Sequence, residues 1–377
     1  MQAKYMILFF TRGVSLEQWI NQGLYDREKL IYEEHLNENH FEKIYWFTYG
    51  SDDRKLSIQL KKENRLHKDI EVIQMPKIFN IPKIGSFLYS FVLPFLYPMI
   101  FKNTNILKTN QMDGSWSALL VKKIYNKKLL LRTGYTWSKL KEVTEPNNKL
   151  KIKLIKFIEN MMYKNSDLSI VASNNSKQYI KEQYGIENVN VLYNYIDLNK
   201  FFNFQLKREK DSIVYIGRLS EEKNIFNLIK ASNLSGLKLK IYGSGPLEHQ
   251  LDKYIKDNLF DAKLMGTVAN DKIPNILNSN KYYALVSYQE GMPKSLMEAM
   301  ACGSICIGTN TDGINELIKD GSNGYLANGF DANDIKVAIV NSMNDNDDIL
   351  VNNAVEFAKE YFDINKIVQN EYKILEN

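Results

Sequence analysis

From Tyr282 to Ile307 the chain reads as a strand, a turn, a helix and a second strand, an order that makes the two strands parallel neighbours. Tyr282-Tyr-Ala-Leu-Val-Ser287 is an apolar run of strand length. Pro293 suits a first helical turn, where its missing N–H costs nothing. Gly303 suits the end of that helix, and Ile305-Cys-Ile307 starts the next strand. Glu290 is therefore expected at the carboxyl end of a strand, with Glu298 about two turns into the helix behind it. Open parallel sheets bind ligands at that edge. Helix-start amides, at the positive end of the dipole, favour an anion there. Two glutamates so placed are, by themselves, more often a plain strand end and a solvated helix residue.

The same alternation runs through the whole chain. Apolar runs at 5–10, 43–48, 71–75, 105–109, 128–131, 167–172 and 189–192 are expected strands, with helical stretches between them such as 114–125. After a polar stretch at 202–210 the pattern starts again, with runs at 212–216, 237–242 and 263–268. Strands alternating with helices point to parallel α/β architecture. The 377 residues are enough for two domains of ordinary size, and 44% hydrophobic with 25% charged residues fits a globular chain.

Two further turns carry chemistry. The run 212–216 ends in Gly217-Arg-Leu-Ser-Glu-Glu-Lys223, where Arg218 and Lys223 can converge on one point. A guanidinium and an ammonium held together suit a nucleotide diphosphate; the competing reading pairs both cations with Glu221 and Glu222. The run 237–242 ends in Gly243-Ser-Gly245-Pro246, a glycine turn that is weak alone because the third glycine of a dinucleotide fingerprint is missing.

The stretch Glu290-Gly-Met-Pro-Lys-Ser-Leu-Met-Glu298-Ala-Met-Ala-Cys-Gly303 resembles the donor-site signature of retaining glycosyltransferases of family four, the glycosyl transferases group 1 that include bacterial surface-polysaccharide enzymes. That pattern is Glu, seven residues, Glu, with Gly and Pro after the first and a small-residue Gly ending after the second. Asn194-Tyr-Ile-Asp197…Phe201 and Gly321-Ser-Asn-Gly324 match other family turns. The resemblance implies the GT-B fold: two Rossmann-like parallel-sheet domains facing a central cleft, with a C-terminal helix crossing back to the first. The expected divisions are 1–200 for an acceptor-side domain, 201–210 for the linker, 211–360 for the nucleotide-sugar domain and 361–377 for the crossing helix.

Carried onto this sequence, the resemblance implies catalytic roles for Glu290, Arg218 and Lys223. It puts Gly13, Gly217, Gly243, Gly245, Val268, Gly291, Met292, Pro293, Lys294 and Glu298 on the donor. Glu298 would accept from ribose hydroxyls, and the base would be held near Val268 by backbone contacts. In its first half the sequence departs from the family. Gly13 stands alone beside Arg12 where one or two glycines are usual, and Arg132-Thr-Gly134 replaces a His-Gly pair. Arg132 is open to two readings, an acceptor phosphate contact or a structural ion pair.

The implied activity is retaining, metal-independent transfer of a hexose-type sugar from a nucleotide diphosphate sugar to a glycan acceptor in surface-polysaccharide synthesis. No cofactor is expected, and no Asp-x-Asp metal motif stands in a suitable place. Two other classes stay open, a nucleotide-sugar epimerase or hydrolase on the same fold and a non-catalytic donor-binding subunit.

Charge and hydropathy locate the acceptor. Between residues 121 and 164 twelve lysines and arginines face three glutamates, within a chain of net charge +5. Such helices are either solvated faces or attracted to an anionic membrane or phosphate-bearing substrate. Ser86 to Phe101 is apolar but short of the ~20 residues of a span, and Pro94 and Pro98 interrupt it. A buried helix–loop or an interfacial patch is expected there, and the patch would suit a polyprenyl-linked acceptor. The stripe Leu150, Leu154, Phe157, Ile158 and Met161 is expected to face the core. Cys302 and Cys306 make no disulfide framework, and the four histidines look scattered, so zinc is not expected. Residues 5–10 lack a leader's cleavage site. The expectation is a cytoplasmic protein, peripheral on the inner face of the cell membrane, with no nucleic-acid partner.

Overall fold

A computed structural model describes residues 4–344 and 347–376 and divides the chain into two compact units. Unit 1 comprises Met1–Lys139, Asn147–Leu192 and Ile364–Asn377; unit 2 comprises Leu140–Pro146 and Tyr193–Asp363.

Unit 1 is built on β1 (Tyr5–Phe9), β2 (Lys43–Phe47), β3 (Ile70–Ile73), β4 (Ile106–Thr109), β5 (Lys128–Thr133), β6 (Leu168–Val171) and β7 (Asn190–Val191). The strands pair in parallel in the order β3-β2-β1-β4-β5-β6-β7. Met6, Ile7 and Leu8 are all at 0% exposure, as expected of a central strand covered on both faces. The chain winds outward from β1 to β3 and restarts on the other side with β4, so the direction of winding reverses between β1 and β4. Phe9 pairs with both Phe47 and Thr109, which brings the loops after β1, β2 and β4 to one edge.

Unit 2 repeats the plan with β8 (Glu209–Ile216), β9 (Lys238–Tyr242), β10 (Ala262–Gly266), β11 (Asn280–Leu285), β12 (Ile305–Thr309) and β13 (Tyr325–Ala327). Its parallel order is β10-β9-β8-β11-β12-β13, and its reversal lies between β8 and β11. Both units therefore have the strand order of a dinucleotide-binding doubly wound sheet, whose ligands sit outside the strand ends at the reversal.

The last helix, Ile364–Glu376, belongs to unit 1 and packs on helix Tyr25–Asn37. It delivers Glu371, wholly buried, to an equally buried Lys108 of β4, and the two form an ion pair. His35 Nε2 lies 3.1 Å from the same carboxylate, and His35 Nδ1 lies 3.0 Å from His40 Nδ1. Tyr372 stacks on His40 at 3.8 Å. Burial pushes the Glu371 carboxyl up, but Lys108, His35 and Arg132 outweigh it and hold it far below the usual carboxylate range. The histidines are thus not scattered: two of them share one buried network.

Three expectations need correcting. Arg132 does not face an acceptor. It is 8% exposed, and its Nε lies 3.7 Å from Glu371 Oε2, so its charge is committed inside unit 1. Residues 201–210 are not a free linker, because the unit changes at Leu192/Tyr193 and β8 already begins at Glu209. Within that stretch Arg208 donates to the carbonyls of Leu277 (3.0 Å) and Asn280 (3.2 Å). Helix Lys149–Asn165 buries Ile152, Ile155, Glu159 and Met162, whereas Leu150, Leu154 and Phe157 are 81%, 57% and 63% exposed. The expected core stripe faces outward because a second stripe, one position over, packs instead.

The apolar segment after β3 is helical from Gly85 to Leu96 and again from Pro98 to Asn103. Tyr97 breaks it with an extended φ of −130°, as the residue before a proline tends to do. Among the described residues no helix is long and apolar enough to cross a membrane.

Candidate active site

The loops after β8 and β9 run in backbone contact. Gly217 N donates to Tyr242 O at 3.0 Å, and Leu219 N donates to Ser244 O at 2.9 Å. Gly243 sits at φ +137°, and a Cβ there would lie 1.8 Å from the Gly217 carbonyl oxygen. A Cβ on Gly245 would lie 2.3 Å from the Leu219 carbonyl oxygen. Gly243 and Gly245 thus let two strand-end turns approach closer than any side chain allows. Tyr215 Oη donates to Arg218 O at 2.8 Å and steadies the turn below. The Arg218 side chain is exposed and has no hydrogen-bond or ion-pair partner among the described residues.

Lys223, at the end of a single 3₁₀ turn, reaches across the reversal. Its Nζ donates to Glu290 Oε1 at 2.6 Å, and Ser287 Oγ donates to the same oxygen at 2.6 Å. The competing pairing of Lys223 with Glu221 or Glu222 is not what forms, since Ser220 Oγ donates to Glu222 Oε1 at 2.6 Å. Tyr288 N donates to Glu222 O at 2.8 Å and closes the backbone of the two loops together. Glu290 Oε2 has no partner among the described residues.

The chain after Glu290 is held from two sides. Gly313 has φ +79°, and a Cβ there would lie 2.2 Å from the Gly291 carbonyl oxygen. Asn194 Nδ2 donates to Met292 O at 2.8 Å, and Lys294 Nζ stands 4.3 Å above the Tyr195 ring. Met292 and Pro293 are buried. The helix runs Lys294–Ala301 with Pro293 as its N-cap, so the proline stands just before the first turn rather than in it. Glu298 then falls about one turn in, not two, and is 2% exposed, which removes the solvated-residue reading. Val268 lies beyond β10 at the same edge, where Gly243 N donates to Gly266 O at 2.9 Å. The buried thiol of Cys302, just past that helix, is pushed up to about 12 by desolvation, which leaves it protonated and inert.

Unit 1 carries a counterpart at its own reversal. Arg12 in the loop after β1 is clamped on Asp113 in the loop after β4, with Nε–Oδ1 2.9 Å and Nη2–Oδ2 3.1 Å. Its guanidinium lies 6.0 Å from the Phe87 ring centre and 5.8 Å from that of Trp116. Gly13 packs beside the first turn of helix Gly85–Leu96, its Cβ position being 3.8 Å from Ser86 Oγ. Sequence reasoning missed Asp113, Ser287, Gly313 and Asn194. Asp113, Gly313 and Asn194 act on partners at least about twenty positions away, and although Asn194 stood in a recognised turn and Ser287 at a strand end, their contacts could not be read.

The loops at the ligand edge of unit 2 therefore carry an exposed guanidinium, Arg218, and the paired ammonium and carboxylate of Lys223 and Glu290. Such a set suits a ligand with an anionic diphosphate and hydroxyl groups. Residues 197–361 match the family model described as Glycosyl transferases group 1. The second half of the chain is thus similar to that family. An uncharacterized glycosyltransferase of Methanocaldococcus jannaschii is 27% identical over 324 residues, covering 80% of each chain. The UDP-Gal:alpha-D-GlcNAc-diphosphoundecaprenol alpha-1,3-galactosyltransferase of Escherichia coli is 29% identical over 213 residues, covering 51% of this chain and 54% of that protein. Among solved structures, Anabaena HepE in complex with UDP and glucose has a TM-score of 0.74 at 18% identity and covers 98% of this chain and 99% of its own. At that identity the likeness establishes the shared GT-B fold over the whole chain.

Proposed function

We propose that this glycosyltransferase moves a hexose from a nucleotide diphosphate sugar to a lipid-linked glycan acceptor during surface-polysaccharide synthesis, with retention at the anomeric carbon. The observation that carries the reading is the Lys223–Glu290 pair bridging the unit 2 reversal, with an exposed Arg218 on the loop after β8. Negative charge grows on the diphosphate oxygen as its bond to the anomeric carbon breaks. Arg218, Lys223 and the helix-start amides near Met292–Lys294 stand ready to stabilise it before it forms. Two cations, Arg218 and Lys223, can carry the charge that a divalent ion would otherwise carry, so the reading is metal-independent and needs no cofactor.

Glu290 takes a sugar hydroxyl on Oε2 while Lys223 and Ser287 hold Oε1. Glu298 meets the ribose side, and the backbone near Val268 meets the base. The electron pair of the broken bond leaves with the diphosphate. The acceptor oxygen bonds to the anomeric carbon from the same face and passes its proton to the departing phosphate oxygen. Unit 1 takes the acceptor at its own reversal, beside Arg12. The reaction belongs to the inner face of the cell membrane, where a soluble donor meets a lipid-linked acceptor.

A panel of UDP-, GDP-, ADP- and CMP-sugars tests this, scored by thermal shift and by nucleotide release with and without acceptor. One donor is expected to stabilise the wild type but not Arg218→Ala, with sustained release only when acceptor is present. Release that ignores acceptor would convert the reading to a hydrolase. No shift with any donor, in folded protein, would leave a scaffold.

A further inference from the structure

We propose that helix Gly85–Leu96 lies flat on an anionic lipid bilayer and so presents the Arg12 loop of unit 1 to phosphate-bearing lipid headgroups. The inner side of this helix is accounted for. Trp116 Nε1 donates to Ser90 Oγ at 2.9 Å, Ser117 Oγ donates to Ser90 O at 2.7 Å, and Tyr89 and Leu93 are buried. The outer side is apolar as well. Phe87, Leu88, Phe91, Val92, Phe95 and Leu96 are all exposed, at a spacing that places them on one helical face. A solvent-facing helix face ordinarily carries charge, and a continuous apolar one marks a contact surface.

Charge selects the occupant. From Val72 to Met112 there is no aspartate or glutamate, while exposed Lys77 and Lys83 precede the apolar face and exposed Lys102 follows it. Lysines around an apolar helical face are the signature of an interfacial helix on anionic lipid. At twelve residues the helix is too short to cross. Helix Lys149–Asn165 repeats the combination, with exposed Leu150, Leu154 and Phe157 among Lys149, Lys151 and Lys153.

The position of the helix gives the docking a purpose. Its first turn adjoins the Gly13 loop, and Phe87 lies under Arg12. Asp113 engages Nε and Nη2 of Arg12, while Nη1 has no partner among the described residues, which leaves donors of the fork for a headgroup phosphate. This last step rests on the lipid-linked acceptor proposed above; the docking does not.

The test is co-sedimentation of the full chain with vesicles of phosphatidylcholine, with and without phosphatidylglycerol. Wild type is expected to bind the anionic vesicles. Phe87→Ser/Phe91→Ser/Phe95→Ser and Lys77→Ala/Lys83→Ala/Lys102→Ala should each bind roughly tenfold more weakly. All three should keep the same melting profile and nucleotide-induced shift. Arg12→Ala should keep vesicle binding and raise the KM for a diphosphate-lipid acceptor; an unchanged KM would remove the headgroup role. Wild type that ignores anionic vesicles, or a serine variant that binds as wild type does, would overturn the docking. So would a concentration-dependent dimer that the serine variant abolishes, which would assign the face to a second copy. Vesicle binding without donor cleavage would sink the proposed function and leave the docking standing.

Discussion

Replacing Lys223 by alanine separates catalysis from folding. The side chains of Lys223 and Glu290 are 18% and 10% exposed, so their pair lies between a surface bridge and a buried one. Exposed pairs contribute ~0–1 kcal/mol, and breaking a buried pair costs ~3–5 kcal/mol. Ser287 keeps its hydrogen bond to Glu290 Oε1, and Oε2 already lacks a protein partner, so about 1–2 kcal/mol is the expected loss of stability. The catalytic loss is larger. Removing one preorganised donor to a developing oxyanion costs ~3–4 kcal/mol, a factor of 10²–10³ in turnover. The assay is the initial rate of nucleotide release at saturating donor and acceptor, read beside a thermal melt of the same preparation. The expected variant melts a few degrees lower and turns over at least about a hundredfold more slowly. A variant with turnover within about threefold of wild type would refute the assignment. So would a loss of rate that disappears on cooling below the melt, because the lysine would then only brace the loop.

Other outcomes follow from the same coordinates. Gly243→Ala should fail to accumulate as folded protein or lose ~3 kcal/mol or more, since its Cβ would collide with backbone rather than a movable side chain; an unchanged urea midpoint would show that the β8 and β9 turns are not so tightly joined. Glu371→Gln should cost ~3–5 kcal/mol at neutral pH by leaving Lys108 buried without its carboxylate. Because the folded Glu371 carboxyl is held below its unfolded value of ~4.3, its contribution is complete above that pH and drains away below it. Urea melts of wild type and variant should therefore converge as pH falls below about 4, and a gap that widens in acid would contradict the sign. Cys302 and Cys306 should resist maleimide at neutral pH until the protein unfolds, because burial raises both thiols; rapid labelling of native protein would place them nearer solvent than the fold does.

Strand positions were legible because a doubly wound sheet buries its strands on both faces, so each appears as a short apolar run. Lys223 and Glu290 could be put at strand ends on that basis, although their bond to each other could not be read. What stayed hidden depends on contacts between distant parts of the chain. Arg132 looks like any basic residue after a strand until Glu371, 239 positions later, is brought beneath it. Asp113 had no local signature, and its role exists only because β4 lies beside β1. In helix Lys149–Asn165 two apolar stripes share nearly the same period, so hydropathy alone could not say which one packs.

The last helix also constrains how the molecule is made. Residues 193–363 form most of unit 2, so unit 2 is threaded as an insert between the early strands of unit 1 and its final helix. During synthesis β1 to β7 emerge before unit 2, yet the carboxylate that neutralises Lys108 emerges only after it. Nascent chains stalled before residue 364 should protect unit 2 from protease while unit 1 is still cut. Unit 1, begun before unit 2, is thus completed after it, and a truncated transcript yields a folded unit 2 with no finished unit 1.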